Sequence, residues 1–327
     1  MAERLYHIQR HISPNNCSNL SSNKSQKGQY NYTLDSGSAL TTEQRNFYEK
    51  NGYLVIRKLV PLEKIKKFTN RFEEIIQDKE IKIPGLMVMR DIAVAKRFDI
   101  PAHKAVNKLQ DFQEDPTLFE YCSLPEILHY LPSFVGNNIM AMHTMLINKP
   151  PDPGTDTSRH PMHQDLHYFP FRPANKIVCS WTAMQTVDRN NGCLAVIPGS
   201  HTTELLKHTY PNWRAGVNKM YHGVEDFDPK MPRDFLEMEA GDTVFFHPLL
   251  VHGSGANKTN GFRKAISCHY ASSSCEYIEV DGTLQENIAK EVLDLAEKRI
   301  GGKLTGIKYH DIWRYRSRLV KGERDNL

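Results

Sequence analysis

The sequence predicts a mainly β protein, a double-stranded β-helix (a cupin-like jelly roll) buttressed by flanking α-helices. Many short segments rich in β-branched and aromatic residues are separated by Gly and Asn turns, which is typical of jelly-roll sheets. The N-terminal third also contains segments whose apolar residues recur at helical spacing. At 327 residues the chain is long enough for one elaborated domain with a large core.

Charge and composition narrow the classes of partner. The formal net charge is +4, from 42 Lys and Arg against 38 Asp and Glu, which suits an anionic small ligand but is too small to predict nucleic-acid binding. The six Cys include no Cys-x-x-Cys pair and several lie in apolar, strand-like runs, so we expect reduced, buried thiols in a reducing compartment. The sequence contains no apolar run of about 18 residues, so no membrane span is predicted.

Residues 1–40 are predicted to be a targeting segment and disordered linker, and residues 41–327 the folded domain. In the basic, amphipathic start, Arg4-Leu5, five residues and then His11-Ile12 resemble the type 2 peroxisomal targeting signal, although Ile12 replaces the usual Leu. The receptor for that signal is therefore an expected partner of residues 4–12. A mitochondrial presequence and a frayed terminus are the alternatives. Residues 13–38 are rich in Ser, Asn, Gly and Gln and are too polar to fold alone.

The folded domain is predicted to begin with a capped helix. Thr41 and Gln44 have the spacing of a capping box, and the helix is expected to stop at Asn51-Gly52. Pro61 is placed as the first residue of a second helix, whose apolar stripe starts at Leu62. The predicted elements that follow are a strand at 53–56, the helix at 61–78, a strand at 85–91, a helix or loop at 104–112, a helix at 126–130 and a strand at 138–148.

The second half is predicted to be rich in strands. Asn191-Gly192 is typical of a hairpin turn and is expected to join strands at 177–187 and 193–197. Residues 202–235 form a long polar stretch with little periodicity, expected to be a loop or lid on the substrate side. The remaining predictions are strands at 244–247 and 263–270 and helices at 284–300 and 307–320.

Three side chains in this half have the pattern of a metal site. His163 and Asp165 are two residues apart, so on an extended strand both project to the same face and can reach one ion. Far downstream, His252 follows an apolar run. Two His and one carboxylate form the facial triad of non-haem iron(II) oxygenases, which leaves positions open for co-substrate and oxygen.

An arginine completes the pattern. Arg263 follows His252 by eleven residues and could hold the far carboxylate of 2-oxoglutarate through a bidentate pair. Each motif alone is weak, because a single His at a strand end is more often structural than a ligand. His201, in a Pro-Gly turn, is interpreted as a turn residue, with a metal role as the alternative. The order His-x-Asp, His, Arg within strand-like sequence is what favours an oxygenase.

Longer motifs resemble the phytanoyl-CoA hydroxylase (phytanoyl-CoA dioxygenase) family, the peroxisomal Fe(II)/2-oxoglutarate oxygenases of fatty-acid α-oxidation. The similarity extends from about Tyr32 to Leu327, and the N-terminal 12 residues match only in type. The motifs that carry it are MAMHTMLINKPP at 140–151, HQDLHYFPFRP at 163–173, GDTVFFHPLL at 241–250 and LVKGER at 319–324.

The resemblance implies 2-hydroxylation of a 3-methyl-branched fatty acyl-CoA in the peroxisomal matrix, giving 2-hydroxyacyl-CoA, succinate and CO₂. It implies Fe(II), O₂ and 2-oxoglutarate, with ascorbate as a candidate reductant. His163, Asp165 and His252 are the implied iron ligands, and Arg263 the implied clamp. The residues implied as co-substrate neighbours are Lys108, Met145, Trp181 and Ser254; Gln164 is added as site-lining, although a regular strand would point it away from the ligands.

Two other classes of protein remain as alternatives. A halogenase of the same fold would need the carboxylate position vacated for halide, and Asp165 argues against that. A non-catalytic module that binds iron or 2-oxoglutarate would be expected to lose a ligand or the arginine, and this sequence keeps all four. Oxygen consumption with and without 2-oxoglutarate would separate enzyme from binder.

Overall fold

The computed structural model describes residues 30–35, 39–96, 99 and 101–327. Two antiparallel β-sheets form its centre. The five helices described between residues 42 and 135 pack on the outer face of the larger sheet, and the two helices near the C-terminus pack on its other face. The α-helices are α1 (Thr42–Asn51), α2 (Leu62–Gln77), α3 (Pro116–Phe119), α4 (Pro125–Tyr130), α5 (Pro132–Val135), α6 (Glu286–Ile300) and α7 (Tyr309–Arg316).

Most strands are short, as the turn-rich sequence predicted, and β4 and β14 are the two long ones, with 11 and 10 residues. They are β1 (Tyr53–Ile56), β2 (Met87–Arg90), β3 (Val106–Gln110), β4 (Ile139–Lys149), β5 (His160–His163), β6 (Phe171–Arg172), β7 (Ile177–Ala183), β8 (Leu194–Val196), β9 (His208–Thr209), β10 (Gly223–Val224), β11 (Asp234–Leu236), β12 (Thr243–Phe246), β13 (His252–Ser254), β14 (Arg263–Ser272), β15 (Glu276–Tyr277) and β16 (Arg318–Lys321).

The larger sheet has the order β1-β12-β7-β14-β4-β3-β2, and β16 also pairs with β4. The smaller sheet has the order β11-β8-β13-β5. Buried apolar residues of both sheets form one cluster, in which Trp181 and Phe246 of the larger sheet meet Leu194 and Val196 of the smaller one. Because neighbouring strands come from distant parts of the chain, the two sheets have the jelly-roll arrangement.

The connection between β7 and β8 differs from the prediction. Asn191-Gly192 does form a turn, with Gly192 at φ 82°, but it does not close a hairpin. β7 lies in the larger sheet and β8 in the smaller one, so the chain crosses from one sheet to the other at this turn. The hairpin prediction was wrong because an Asn-Gly turn fixes the reversal of the chain but not the strand that each arm then pairs with.

The N-terminal helices follow their sequence signals closely. The Thr41 side chain accepts a hydrogen bond from the Gln44 backbone, the Gln44 side chain returns one, and Gly52 ends the helix in the left-handed conformation, which confirms the predicted capping box and stop. In α2, Phe68 and other apolar residues of the stripe pack on the larger sheet. Two details differ: Pro61 is the N-cap rather than the first helical residue, and Leu62 is 64% exposed.

Two further segments differ from their predicted structures. The stretch 104–112, expected as a helix or loop, contains β3, which pairs with β2 and β4. Its sequence shows no alternation because all five residues of β3 are buried. The helix predicted for 307–320 ends at Arg316, and the chain continues as β16 beside β4.

Residues 30–35 already contact the domain, upstream of the boundary expected at residue 41. The Thr33 hydroxyl and the Tyr32 amide both donate to the Glu49 carboxylate, at 2.6 and 3.0 Å, and Thr33 is buried. The targeting pattern at residues 4–12 lies outside the described residues. Within the described chain, five cysteines are buried and free, as expected for reduced thiols. None of the described helices is both long and apolar enough to cross a bilayer.

Candidate active site

The end of β5 positions the first two candidate ligands. His163 is the last residue of β5, and Asp165 begins a 3₁₀ turn over Asp165–Tyr168 rather than continuing a strand as expected. The residue between them, Gln164, is still extended at φ −113° and ψ 127°. That single extended residue keeps both side chains on one face, and His163 Nε2 lies 3.2 Å from Asp165 Oδ1.

Strand pairing brings in the third ligand. β13 runs antiparallel to β5, and His252 is directly opposite His163 in the register. The two rings lie 4.3 Å apart between centroids, and His252 Nε2 is 3.6 Å from Asp165 Oδ2. One candidate ligand atom from each of these three buried side chains lies within 4.8 Å of the others. The next residue, Gly253, has to be a glycine, since a Cβ there would lie 2.9 Å from the His160 and Pro161 carbonyl oxygens.

Hydrogen bonds to the backbone orient both imidazoles. His163 Nδ1 lies 2.9 Å from the Pro161 carbonyl oxygen, and His252 Nδ1 lies 2.9 Å from that of Leu250. A carbonyl only accepts, so each Nδ1 carries the proton and each Nε2 presents a free lone pair. This is the usual outer arrangement of a metal-binding histidine.

The protonation states suit a divalent cation. Burial would raise the pKa of Asp165, but His252 and His269 nearby outweigh burial and hold the pKa well below its usual value. Burial lowers the pKa of His252 to about 4, so its imidazole is neutral near pH 7. The cluster therefore offers a carboxylate and neutral imidazole nitrogen, the donor types of the facial triad, and it fits iron(II).

A second group of possible ligands shares Asp165. It consists of Asp165, Cys179 and His269. Burial raises the pKa of the Cys179 thiol well above its usual value, so the sulfur stays protonated and is a poor ligand. His269 Nε2 lies 2.7 Å from Asp165 Oδ2 and donates to it. We therefore assign His269 to orienting the carboxylate, and the first group to the metal.

Arg263, the first residue of β14, lines the same cavity. Its Nη2 donates to the Gly192 carbonyl oxygen at 2.7 Å, whereas Nε and Nη1 are buried and find no partner among the described residues. Its guanidinium carbon lies 5.5 Å from the centroid of the Trp181 ring. Burial lowers the pKa of Arg263 to about 10, which leaves it charged near pH 7. Two unpaired charged donors facing a cavity fit the distal carboxylate of 2-oxoglutarate.

The cavity has a volume of about 90 Å³ and collects residues from both sheets. Besides the ligands and Arg263, its lining includes all four residues implied as co-substrate neighbours: Lys108, Met145, Trp181 and Ser254. Lys108 is buried on β3, and burial lowers its pKa to about 8.

Gln164 does not line the cavity, contrary to the expectation from the sequence. Its side-chain amide donates to the Glu204 and Leu249 carbonyl oxygens, at 3.3 and 3.0 Å, and its Oε1 accepts from the Leu206 amide at 2.8 Å. These contacts turn the side chain away from the cavity, whose lining does not include it. A residue between two ligands on an extended backbone points to the opposite face, and here it anchors the 202–235 loop.

Several cavity residues were not predicted from the sequence, among them His269 and Lys149. His269 lies six positions after Arg263, an even spacing that places both on the same face of β14, and this periodicity could have revealed it. Lys149 Nζ donates to the Ser158 and Gly255 carbonyl oxygens and the Ser254 hydroxyl, at 2.6, 2.7 and 2.8 Å. Burial, followed by the charge of Arg263, lowers the Lys149 pKa well below its usual value. No local sequence signal distinguishes Lys149 from a surface lysine.

Known proteins resemble the chain at two levels. It matches the family described as Phytanoyl-CoA dioxygenase (PhyH) over residues 48–265. The protein named "Phytanoyl-CoA dioxygenase, peroxisomal" of Rattus norvegicus is 60% identical over 299 residues, covering 91% of this chain and 88% of the rat protein. "Probable phytanoyl-CoA dioxygenase" of Caenorhabditis elegans is 54% identical over 311 residues, covering 92% of this chain and 99% of that protein.

Solved structures share the fold at lower identity. The epimerase SnoN, in complex with Fe³⁺, alpha ketoglutarate and nogalamycin RO, has a TM-score of 0.56 at 18% identity, covering 72% of this chain and 85% of SnoN. EctD from S. alaskensis, with 2-oxoglutarate and 5-hydroxyectoine, has a TM-score of 0.56 at 14% identity, covering 76% of this chain and 81% of EctD. At these identities the likeness concerns the fold alone.

These comparisons confirm the predicted fold class and the predicted dioxygenase. The family match includes β5, β13 and Arg263, and the two named relatives are aligned over nine-tenths of the chain. On this match and these identities, the chain belongs to the phytanoyl-CoA dioxygenase family.

Proposed function

We propose that this protein hydroxylates C2 of 3-methyl-branched acyl-CoA, with Fe(II), O₂ and 2-oxoglutarate, and releases 2-hydroxyacyl-CoA, succinate and CO₂. The observation that carries the proposal is that one cavity is lined both by the His163–Asp165–His252 cluster and by Arg263, two of whose donors have no partner among the described residues. The family of the chain supports the acyl-CoA substrate.

The protein's own residues perform three tasks. His163, Asp165 and His252 would hold the iron, which when bound supplies oxygen activation coupled to decarboxylation of 2-oxoglutarate. Arg263 binds the distal carboxylate of 2-oxoglutarate and so fixes which end of the co-substrate faces the cluster. Buried apolar residues such as Trp181 exclude water from the cavity, and water would weaken the ion pair with Arg263.

The preference for C2 follows from chemistry. A 3-methyl branch blocks β-oxidation at C3, so a hydroxyl at C2 prepares the chain for shortening by one carbon. Hydroxylation acts on the C–H bond that is held closest, so C2 selectivity requires the thioester head to be fixed. Binding energy from coenzyme A can serve that positioning, and the free acid lacks it.

Product analysis tests the proposal. With 3-methyl-branched acyl-CoA, mass spectrometry should show one hydroxyl at C2 and one succinate per product, and the free acid should react far more slowly. His252→Ala should abolish turnover while the circular dichroism spectrum stays near wild type, because losing one of three protein ligands leaves a weak site. Hydroxyl at C3 or beyond, equal rates for acid and thioester, or full activity of His252→Ala would overturn it.

The proposal also covers the role of the N-terminal segment and the location of the protein in the cell. Residues 1–40 would serve as targeting segment and linker for the oxygenase domain at 41–327, with residues 30–35 packed against that domain. The type 2 receptor would bind residues 4–12 for import into the peroxisomal matrix. The rat relative is named peroxisomal, which supports this. Residues 1–20 fused to a fluorescent protein should enter peroxisomes, and Arg4→Ala should leave the fusion cytosolic. A mitochondrial signal would favour the presequence alternative.

A further inference from the structure

Beyond the iron and 2-oxoglutarate cavity, two further cavities lead towards the surface. The middle one, about 70 Å³, shares His163, Asp165 and His269 with the site cavity. The outer one, about 520 Å³, lies among β2, α6 and α7 and shares Met220, Val292 and Arg316 with the middle one. Because each adjoining pair has lining residues in common, the three cavities lie next to one another, and exposed residues such as Ile300 line the outer one.

The outer cavity is chemically suited to hydrocarbon. Its lining is mostly apolar, including Leu295, Ala296 and Ile312. Apolar side chains around it are also left in solvent: Ile300 is 61% exposed and Tyr315 is 55% exposed. A cavity of several hundred Å³ with an apolar lining is the usual form of a small-molecule site.

The charged side chains in the lining are already engaged by the protein. Arg316 Nε pairs with Asp111 Oδ2 at 3.0 Å, and both residues are buried. Arg299 donates to the Leu86 carbonyl oxygen at 2.9 Å. Asp311 accepts from the Lys308 amide at 2.9 Å. Each of these charged groups has at least one partner within the protein, and the remaining lining is mostly apolar and favours an alkyl chain.

Hydrogen bonds fix the position of Met220, which lines both the middle and the outer cavity. Met220 has a left-handed backbone with φ 63°. The Tyr168 hydroxyl donates to the Met220 carbonyl oxygen at 2.7 Å, and the Met220 amide donates to the Tyr210 hydroxyl at 2.8 Å. Tyr210 in turn donates to Glu291 on α6, at 2.5 Å. These bonds tie the 202–235 loop to α6 beside Val292, at the boundary between the two cavities.

We infer that the acyl chain of the substrate runs from the metal cluster through the middle cavity into the outer cavity between α6 and α7. This inference rests on the proposed function, since it takes C2 to lie beside His163 and Asp165. The chain beyond C3 then passes Met220 and Val292 and lies along the apolar face of α6. The coenzyme A moiety lies on the opposite side of C2, away from the α6–α7 cavity.

Crosslinking tests the path directly. An acyl-CoA with a diazirine at the end of its alkyl chain, photolysed on the full-length enzyme with 2-oxoglutarate, should label peptides from 292–300 and 304–315. Labelling confined to other segments would overturn the assignment. The readout does not require turnover: labelling of α6 without hydroxylation would count against the proposed reaction alone, and hydroxylation with labels elsewhere would count against the path alone.

Chain-length dependence gives a second, independent readout. In Ala296→Trp the indole fills part of the outer cavity, and each CH₂ denied burial costs about fourfold in binding. Across a series of 3-methyl acyl-CoAs, kcat/KM for the longest chain should fall at least tenfold more than for the shortest. The matched control is Lys298→Trp, at an exposed position of the same helix, which should leave the whole series at wild-type values. An equal fall for short and long chains in Ala296→Trp would contradict the assignment.

Discussion

Replacing Arg263 by Lys is the sharpest test of the co-substrate end of the site. The substitution keeps the positive charge and removes the planar fork. Arg263 is 2% exposed, and its Nε and Nη1 are free of partners among the described residues. A carboxylate could therefore pair with one of these donors and with the second N–H of Nη2, whose other N–H donates to Gly192. A lysine ammonium at this depth could keep one of those two bonds.

The size of the effect follows from the lost bond. A hydrogen bond to a charged group contributes roughly 1.5–3 kcal/mol, and about 1.4 kcal/mol is a factor of ten. The KM for 2-oxoglutarate should therefore rise about 10- to 150-fold. The Gly192 carbonyl oxygen also loses its donor, which should lower the free energy of unfolding by about 1–3 kcal/mol.

The assay measures two Michaelis constants by succinate release. The KM for 2-oxoglutarate is measured at saturating acyl-CoA, and the KM for acyl-CoA at saturating 2-oxoglutarate. Arg263→Lys should raise the first far more than the second, and Arg214→Lys, at an exposed position, should change neither. Equal rises in both constants would refute the reasoning, since Arg263 would then act on the structure as a whole.

Three further predictions follow from buried groups. The pKa of Lys108 is lowered to about 8, so Lys108 loses its charge above that pH and kcat/KM for 2-oxoglutarate should fall as the pH rises through it. Lys108→Met should flatten this part of the pH profile. An unchanged profile in Lys108→Met would rule out Lys108 as the titrating group. Because His269 donates to Asp165, His269→Ala should weaken iron(II) binding roughly 10- to 100-fold in a metal titration, whereas His129→Ala on α4 should bind iron normally; wild-type affinity would remove His269 from the site. Phe68→Ala in α2 should lower the free energy of unfolding by about 3–5 kcal/mol in urea, against about 0.5 kcal/mol or less for exposed Leu62→Ala; similar losses would contradict the packing described for α2.

Local signals in the sequence determined much of the fold. The capping box at Thr41 and Gln44 and the stop at Gly52 appear as predicted, because their hydrogen bonds join residues only a few positions apart. His163 and Asp165 share a face for a similarly local reason, since one extended residue separates them. The strand does not continue through Asp165 as expected. The side chains of His163 and Asp165 still share a face because Gln164 between them is extended.

Segments decided by distant partners were harder to predict. β3 reads as a helix or loop by composition, and it is a strand because β2 and β4 lie on either side of it. The β7–β8 connection was misread for the same reason, since the pairing of each arm depends on strands far along the chain. Nothing local in the sequence distinguishes Lys149 from a surface lysine, because its three acceptors, from Ser158, Ser254 and Gly255, come together only in the folded chain.

By itself, the sequence determined which chemical groups this protein has available: two imidazoles and a carboxylate as candidate iron ligands, and one arginine as the candidate partner of a dicarboxylate. The tertiary structure decided that they meet. His252 reaches the cluster because β13 pairs with β5 in the register that sets His252 opposite His163, and Lys108 reaches the cavity through β3. Such registers are fixed by the burial of many apolar side chains between two sheets, a cooperative choice that no short stretch of sequence contains.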